Sequence, residues 1–499
     1  MGSAGRAAGR DAAAVTGLEC RIYRVPTDQP EADGTLAWSD TTVVTVEVQA
    51  AGEAGLGWTY APAACRSIIE ETLRPVVVGS DVFGAPGTNA EMVRRCRNFG
   101  RPGIVASAIS AVDIALWDLK ARLVGLALAD LFGRCRAAVP VYGSGGFTTY
   151  DDETTAAQLE HWTGELGIPR VKLKVGESWG TNVERDLRRV ALARKCIGDD
   201  AELYVDANGG YARKQAVRMG VVFSESARVS WFEEPVSSDD LVGLREVRDH
   251  VPCDVAAGEY GYDEAYFARM VSASAVDCLQ IDVTRCGGYT SWLRVAGLAS
   301  ATGLQVSGHC APNLHLPVAM AVPNLRHVEY FHDHERTDPL LFDGCQSVVS
   351  GELRGGTDVL GHGMTLKDVE ALRVVRPVLR GLEPRAVDAR FDELFFDQIG
   401  ARPVALARRD SGRTKCPPKA ERIGSRRRPE LLAGQLVRNV SFGTKRKEKV
   451  YRAPAPLTEP CEDRRRAGHR RRPARSRRCA RRRLHHVLKY DVDRPSQPD

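Results

Sequence analysis

Asp206 in LYVDANGG, Glu233 in VSWFEEPV and Glu259 in DVAAGEY each follow a short apolar run and precede turn-like or polar sequence. Carboxylates at the ends of successive strands converge at one mouth of a parallel barrel. Three hard oxygen donors, with no Cys or His among them, suit Mg²⁺ rather than zinc. A Mg²⁺ held there would bind a substrate carboxylate and stabilise the anion formed when a proton leaves its α-carbon.

Other residues at strand ends supply the acid–base groups such a reaction needs. Lys172 and Lys174 in VKLKVG are two apart and share one face of a strand. Two like charges close together lower each other's proton affinity, so one lysine is expected to be neutral and basic near neutral pH. Asp282 closes CLQIDVTR and His309 closes LQVSGHC. On neighbouring strands an Asp fixes the imidazole tautomer and raises the basicity of its free nitrogen, making an acid–base dyad. Glu329 in HVEYF is suited, if protonated, to hydrogen-bond the substrate carboxylate; the plainer reading is a strand-end ion pair. Asn208 shares the face of Asp206 and is a candidate to orient a ligand. Glu234 points away from Glu233 and is given a supporting or structural role. His315 either touches substrate or packs at a helix start.

These residues need a frame that brings strand ends together. Residues 18–62 read as strand-rich, with TTVVTVEVQAAGEAGLGWTY forming a hairpin, and 63–135 as helices, including IVASAISAVDIALWDLKARLVGLALADLFG. From about residue 140 strand and helix alternate. The strand candidates are VPVYGSGGF, VKLKVG, LYVDANG, VSWFEEPV, DVAAGEY, CLQIDVTR, LQVSGHC and HVEYF, with helices such as NVERDLRRVALARKCIG and SWLRVAGLASATG between them. Even spacing alone fits a doubly wound sheet as well. Polar residues at the C-terminal ends of the runs favour a closed barrel. The expected division is an α+β cap over 18–135, a barrel over 140–350, a segment over 351–385 returning to the cap, and a basic tail over 386–499.

The net charge of +6 averages two unlike parts. Residues 401–499 carry 30 basic against 10 acidic residues, a net of +20; the first 400 carry 40 against 54, a net of −14. The tail reads as disordered, or as sequence foreign to the fold. It lacks interleaved aromatics and a fold motif, which argues against nucleic-acid binding. No apolar run is long enough to span a membrane, and the N-terminus lacks a secretory hydrophobic stretch, so the expected location is cytoplasmic. The 13 Cys show no CxxC pair and read as reduced core thiols.

Over residues 18 to 380 the chain resembles the enolase superfamily, in its mandelate racemase and muconate lactonizing enzyme branch, where a Lys or His base works with Mg²⁺. The resemblance implies a (β/α)₇β modified TIM barrel under an N-terminal α+β capping domain completed by a C-terminal segment. By the same resemblance Asp206, Glu233 and Glu259 are the Mg²⁺ ligands, Glu233 being the first Glu of the EEP run. Lys174 is the base on one face of the substrate and Lys172 its cationic neighbour; His309, backed by Asp282, acts on the other face. Glu329 stands 20 residues after His309, the spacing of the mandelate racemase pattern. Asp282 and Glu259, where the muconate lactonizing type has Lys and Asp, point to the mandelate racemase subgroup. The resemblance also implies a homo-oligomer and a small carboxylate substrate.

The implied first step is loss of the proton α to a carboxylate, through an enediolate. Expulsion of a β-hydroxyl by protonated His309 would make the chain an acid-sugar dehydratase, a lyase yielding a 2-keto-3-deoxy acid. Return of a proton to the other face would make it a racemase or epimerase of a 2-hydroxy acid, an isomerase. A third reading is a catalytically silent relative whose basic tail recruits an acidic partner. Substrate identity is expected in the loops 27–40 and 54–62 and in GSGGFTTY. There Thr148, Thr149 and Tyr150 suit hydroxyl groups, and Trp38, Trp58 and Tyr60 either wall the pocket or pack the cap.

Overall fold

The computed structural model describes residues 13–356, 358–368 and the backbone of 376 and 377. The expected basic tail, and most of the expected return segment beyond 368, lie outside the described residues.

The cap begins with three antiparallel strands, β1 (Gly17–Ala32), β2 (Ala37–Ala50) and β3 (Glu53–Tyr60). The β2–β3 turn falls at Ala51 and Gly52, both left-handed, the two-residue geometry that matches strand twist. Gly55 and Gly57 let the helix Ile104–Leu123 lie directly on β3. A Cβ on Gly57 would sit 2.2 Å from the Ala111 carbonyl oxygen, and one on Gly55 2.3 Å from that of Ala115. That helix meets the strand through Ala111 and Ala115 and is buried along most of its length.

The barrel has eight parallel strands: β4 (Ala138–Gly145), β5 (Arg170–Lys174), β6 (Glu202–Asp206), β7 (Val229–Glu233), β8 (Asp254–Ala257), β9 (Cys278–Ile281), β10 (Gln305–Gly308) and β11 (Leu325–Phe331). Each pairs with its sequence neighbours, and β11 pairs with β4 through Val328↔Val141 and Glu329↔Tyr142, which closes the ring. Seven helical connections join the eight strands, the (β/α)₇β arrangement. Asp151, Asp240 and Asp263 cap three of these helices by accepting from the amides of Thr154, Gly243 and Tyr266.

Period-two alternation sends Leu173, Val205 and Phe232 outward to the helices and the intervening residues into the barrel. Low in the barrel, Tyr142, Tyr204, Trp231, Ala256 and Cys278 pack as a plug. It fills the interior beneath the strand ends.

After the barrel, Glu352–Arg354 pairs antiparallel with β4, Gly361 bonds the Leu128 amide, and Arg376–Pro377 adds to β1 of the cap sheet. Among the described residues no helix is long and apolar enough to cross a membrane.

Candidate active site

Strand register sets the level of the first charged groups. Lys174 pairs with Asp206, and Asp206 with Glu233, so three neighbouring strands present them side by side. Glu259 stands two residues beyond β8, after Gly258, whose Cβ position is filled by the Gln280 carbonyl oxygen at 2.1 Å. One oxygen each from Asp206, Glu233 and Glu259 lies within 4.8 Å of the others. This all-oxygen donor set, buried and closely spaced, fits a hard divalent cation. Burial and the neighbouring Asp206 push Glu233 up to about 8, whereas His309 beside Glu259 holds that carboxyl well below its ordinary value against burial.

The lysines flank one side. Lys174 Nζ is 2.6 Å from Asp206 Oδ2. Lys172 Nζ bonds Glu233 and lies 2.8 Å from Glu329 Oε1 and 3.5 Å from Asp206 Oδ2. The other side is built on His309. Its Nδ1 is 2.9 Å from Asp282 Oδ2, and its Nε2 is 3.2 Å from Glu259 Oε2 and 3.6 Å from Glu329 Oε2. Asp282 is held in turn by the amide and hydroxyl of Thr284, both at 2.7 Å. Every one of these side chains is buried, Lys174 being 5% exposed.

Two model domains of known families match this chain. The mandelate racemase / muconate lactonizing enzyme N-terminal domain covers residues 18–133, and the enolase C-terminal domain-like model covers residues 154–370. The chain belongs to the mandelate racemase/muconate lactonizing enzyme family of the enolase superfamily. It is 32% identical over 364 residues to the 3,6-anhydro-alpha-L-galactonate cycloisomerase of Streptomyces coelicolor, covering 70% of this chain and 96% of that one. It is 30% identical over 341 residues to the L-talarate/galactarate dehydratase of Salmonella typhimurium, covering 66% and 82%. Among solved structures, a mandelate racemase/muconate lactonizing enzyme-like protein from Rubrobacter xylanophilus has a TM-score of 0.70 at 48% identity, over 73% of this chain and all of that one. A racemase from Streptomyces coelicolor with bound magnesium has a TM-score of 0.68 at 29% identity, over 72% and 100%.

In this family member the ionisation states differ from those read off the sequence. Burial works against the charge on both lysines, but surrounding carboxylates outweigh it: Glu233 and Glu329 hold Lys172 well above its ordinary value, and Asp206 raises Lys174. Mutual repulsion between the lysines is the lesser effect, so the expectation of a neutral lysine is corrected for this arrangement. Glu329 is likewise a carboxylate rather than an acid. Burial favours its neutral form, yet Lys172 and His309 hold it well below the usual range. Against burial, Cys310, Glu259 and Glu329 keep the His309 imidazolium well above its ordinary value, while Asp282 falls to about 2 with His309 and Arg285 beside it.

Several expected substrate contacts are already engaged with protein. The Thr148 hydroxyl donates to the Asp33 carbonyl at 2.8 Å, and that of Thr149 to Pro30 at 2.7 Å, fastening the first barrel loop to the cap. Tyr150 is buried edge-on against Phe147. Trp38 Nε1 donates to Glu31 and Asp333, and Trp58 stacks on Phe342. His315 takes the packing role: fully buried, it accepts from the Val283 amide and bonds the Cys310 carbonyl. A hydroxyl or N–H committed to the cap–barrel seam is not free for substrate.

Other groups escaped the sequence reading. Arg285 bridges Asp282 (3.3 Å) and Glu259 (3.4 Å). Cys310 puts its Sγ 3.4 Å from His309 Nε2, and its amide donates to Glu329 at 2.9 Å. Trp231 Nε1 donates to Glu233 at 3.0 Å. Glu234 is buried with Oε1 unpartnered, and a φ of 37° turns it toward the mouth of the barrel. Asn208, expected from the sequence to orient a ligand, also keeps a buried, unpartnered Oδ1. Both line a cavity of about 470 Å³ with Trp179, Tyr260, Tyr262 and Arg269. That cavity adjoins the triad through residues next to Glu233 and Glu259 without being lined by the three carboxylates themselves, and a cleft of about 620 Å³ at the opposite end of the barrel is lined by Arg170, Glu202 and Arg326.

Proposed function

We propose that this chain is a Mg²⁺-dependent lyase that dehydrates an acid sugar to a 2-keto-3-deoxy acid. The observation that carries the reading is the pair of acid–base groups flanking the carboxylate triad: Lys174 against Asp206 on one side and His309 against Glu259 on the other. Asp206, Glu233 and Glu259 would hold Mg²⁺, which, when bound, draws negative charge onto the substrate carboxylate and eases loss of its α-proton.

Lys174, with its charge relieved once Asp206 is engaged elsewhere, takes the α-proton. Lys172 stays cationic against the developing negative charge. His309, oriented by Asp282, gives its Nε2 proton to the β-hydroxyl as the C–O bond breaks, releasing water. The enol left behind gains a proton at carbon and becomes the ketone. Asn208 and Glu234 each keep a buried acceptor oxygen with no protein partner, which suits them to take hydroxyl groups of a polyol chain.

Support from relatives is at the level of chemistry. The curated relatives include acid-sugar dehydratases and cycloisomerases, and one solved neighbour, an L-talarate/galactarate dehydratase, is liganded with Mg and L-lyxarohydroxamate. A racemase or epimerase is the second reading, because a proton donor on each side of one carbon also permits inversion. An acid-sugar library with Mg²⁺ in D₂O separates them. Keto acid trapped by semicarbazide establishes dehydration. Deuterium exchange or inversion without keto acid establishes the isomerase, and no exchange on any acid sugar would overturn both.

A further inference from the structure

Away from the carboxylate triad, the seam between cap and barrel holds a second group of charged side chains. Asp28 and Glu31 lie near the end of β1, and His332 directly follows β11. Two carboxylate oxygens and one ring nitrogen, one donor from each residue, lie within 4.8 Å of one another. Glu31 is fully buried. Its Oε2 accepts from Trp38 Nε1 at 2.8 Å, while its Oε1 has no hydrogen-bond partner. His332 Nε2 is also buried without a hydrogen bond, 3.5 Å from Asp28 Oδ2.

The surroundings leave negative charge in excess. Asp333 is buried beside Glu31 and accepts from Trp38 (3.2 Å), Thr41 (3.0 Å) and Arg336 (3.0 Å). Arg336 also approaches Asp28 at 3.9 Å. Three carboxylates thus meet one guanidinium, a net charge of −2 with the imidazole neutral. A buried oxygen with no donor in such a field is costly unless a cation or a proton answers it.

We propose that Asp28, Glu31 and His332 form a second divalent-cation site, separate from the Asp206–Glu233–Glu259 triad, that clamps the end of β1 to the end of the last barrel strand. One imidazole nitrogen with two carboxylate oxygens selects a borderline ion such as Zn²⁺ over Mg²⁺, which prefers oxygen throughout. The position gives the clamp a purpose. His332 stands three residues beyond Glu329, and the end of β1 carrying Asp28 and Glu31 is tied on its other flank by Thr148 and Thr149. A cation there would fix the end of β1 from both sides against the barrel.

A proton is the competing answer. Burial and the adjacent Asp333 push Glu31 up to about 9, so Glu31 and Asp333 can share one. The experiment distinguishes the two. Tag-free full-length protein in excess Mg²⁺ is titrated with Zn²⁺, desalted, and its zinc counted by mass spectrometry beside Glu31→Gln and Asp28→Asn. The expected result is one more Zn²⁺ per chain in the parent than in Glu31→Gln, binding weakened about tenfold or more in Asp28→Asn, and Zn²⁺-dependent protection of residues 27–40 from hydrogen exchange in the parent alone. Equal zinc in all three proteins would overturn the site. Equal zinc together with unchanged thermal stability of Glu31→Gln would assign the cluster to a shared proton. Asp28 is half-exposed, its side chain 52% accessible, so Asp28→Asn tests the site without endangering the fold.

Discussion

Lys174 and His309 each contact one carboxylate of the triad, and each can be removed without emptying the core. Lys174→Ala and His309→Asn are expected to lower turnover by about 10²-fold or more, the usual worth of a positioned acid or base, with circular dichroism and melting behaviour retained. Full activity in either variant would refute its role. The types of these residues and their places at strand ends were legible in the sequence. Their charge states were not. Lys172 and Lys174 are neighbours by sequence, but Glu233, Glu329 and Asp206 come from three other strands and decide the outcome. Glu234 is a similar case. Strict alternation sends it away from Glu233, yet a left-handed backbone turns it into the cavity region, a local departure that periodicity does not encode.

At the level of elements, close approach holds the cap together and buried hydrogen bonds fasten it to the barrel. Gly57→Val would drive a side chain into the backbone of Ile104–Leu123, at the 2.2 Å contact with Ala111 O. A loss of about 1–3 kcal/mol or more is expected, read as a lower melting temperature. Asp113, on the same helix, accepts from the amide and hydroxyl of Thr290 and from Asn89, joining the cap to the start of Gly288–Ala301. Burial raises it from 3.8 to about 7. The native state therefore binds a proton that the unfolded chain releases, so this residue's contribution declines as pH rises from about 4 through about 7. Asp113→Asn should flatten that part of the stability–pH profile relative to the parent. An unchanged slope would show that Asp113 does not titrate there. Strand and helix existence followed from periodicity, whereas the pairing of these elements depended on residues such as Gly57 and Asp113 that look unremarkable in their own segments.

For the whole molecule, the carboxylate triad should couple metal binding to stability. Because the three ligands come from β6, β7 and the loop after β8, a cation joins separate parts of the ring. Mass action predicts about 2.7 kcal/mol of stabilisation when Mg²⁺ is a hundred times its dissociation constant. Chelation should lower the melting temperature of the parent, and Glu259→Gln should remove most of that response. A melting temperature indifferent to Mg²⁺ in the parent would argue against the triad as ligands. Closure matters to the same property, since the β11–β4 pairing places Glu329 next to the strand before Lys172 and brings the two within 2.8 Å.

By itself the sequence determined the alternation of eight strands with helices, the face shared by Lys172 and Lys174, and the polar residues waiting at strand ends. Those features arise from spacing along one segment, where backbone geometry alone fixes which side chains lie together. Only the tertiary structure decided that the ring closes, that Arg285 and Cys310 belong to the site, that both lysines are held cationic, and that Thr148, Trp38 and His315 are committed to packing. Each of these depends on through-space distance and on burial among residues far apart in the chain, and both are set only when the strands have met.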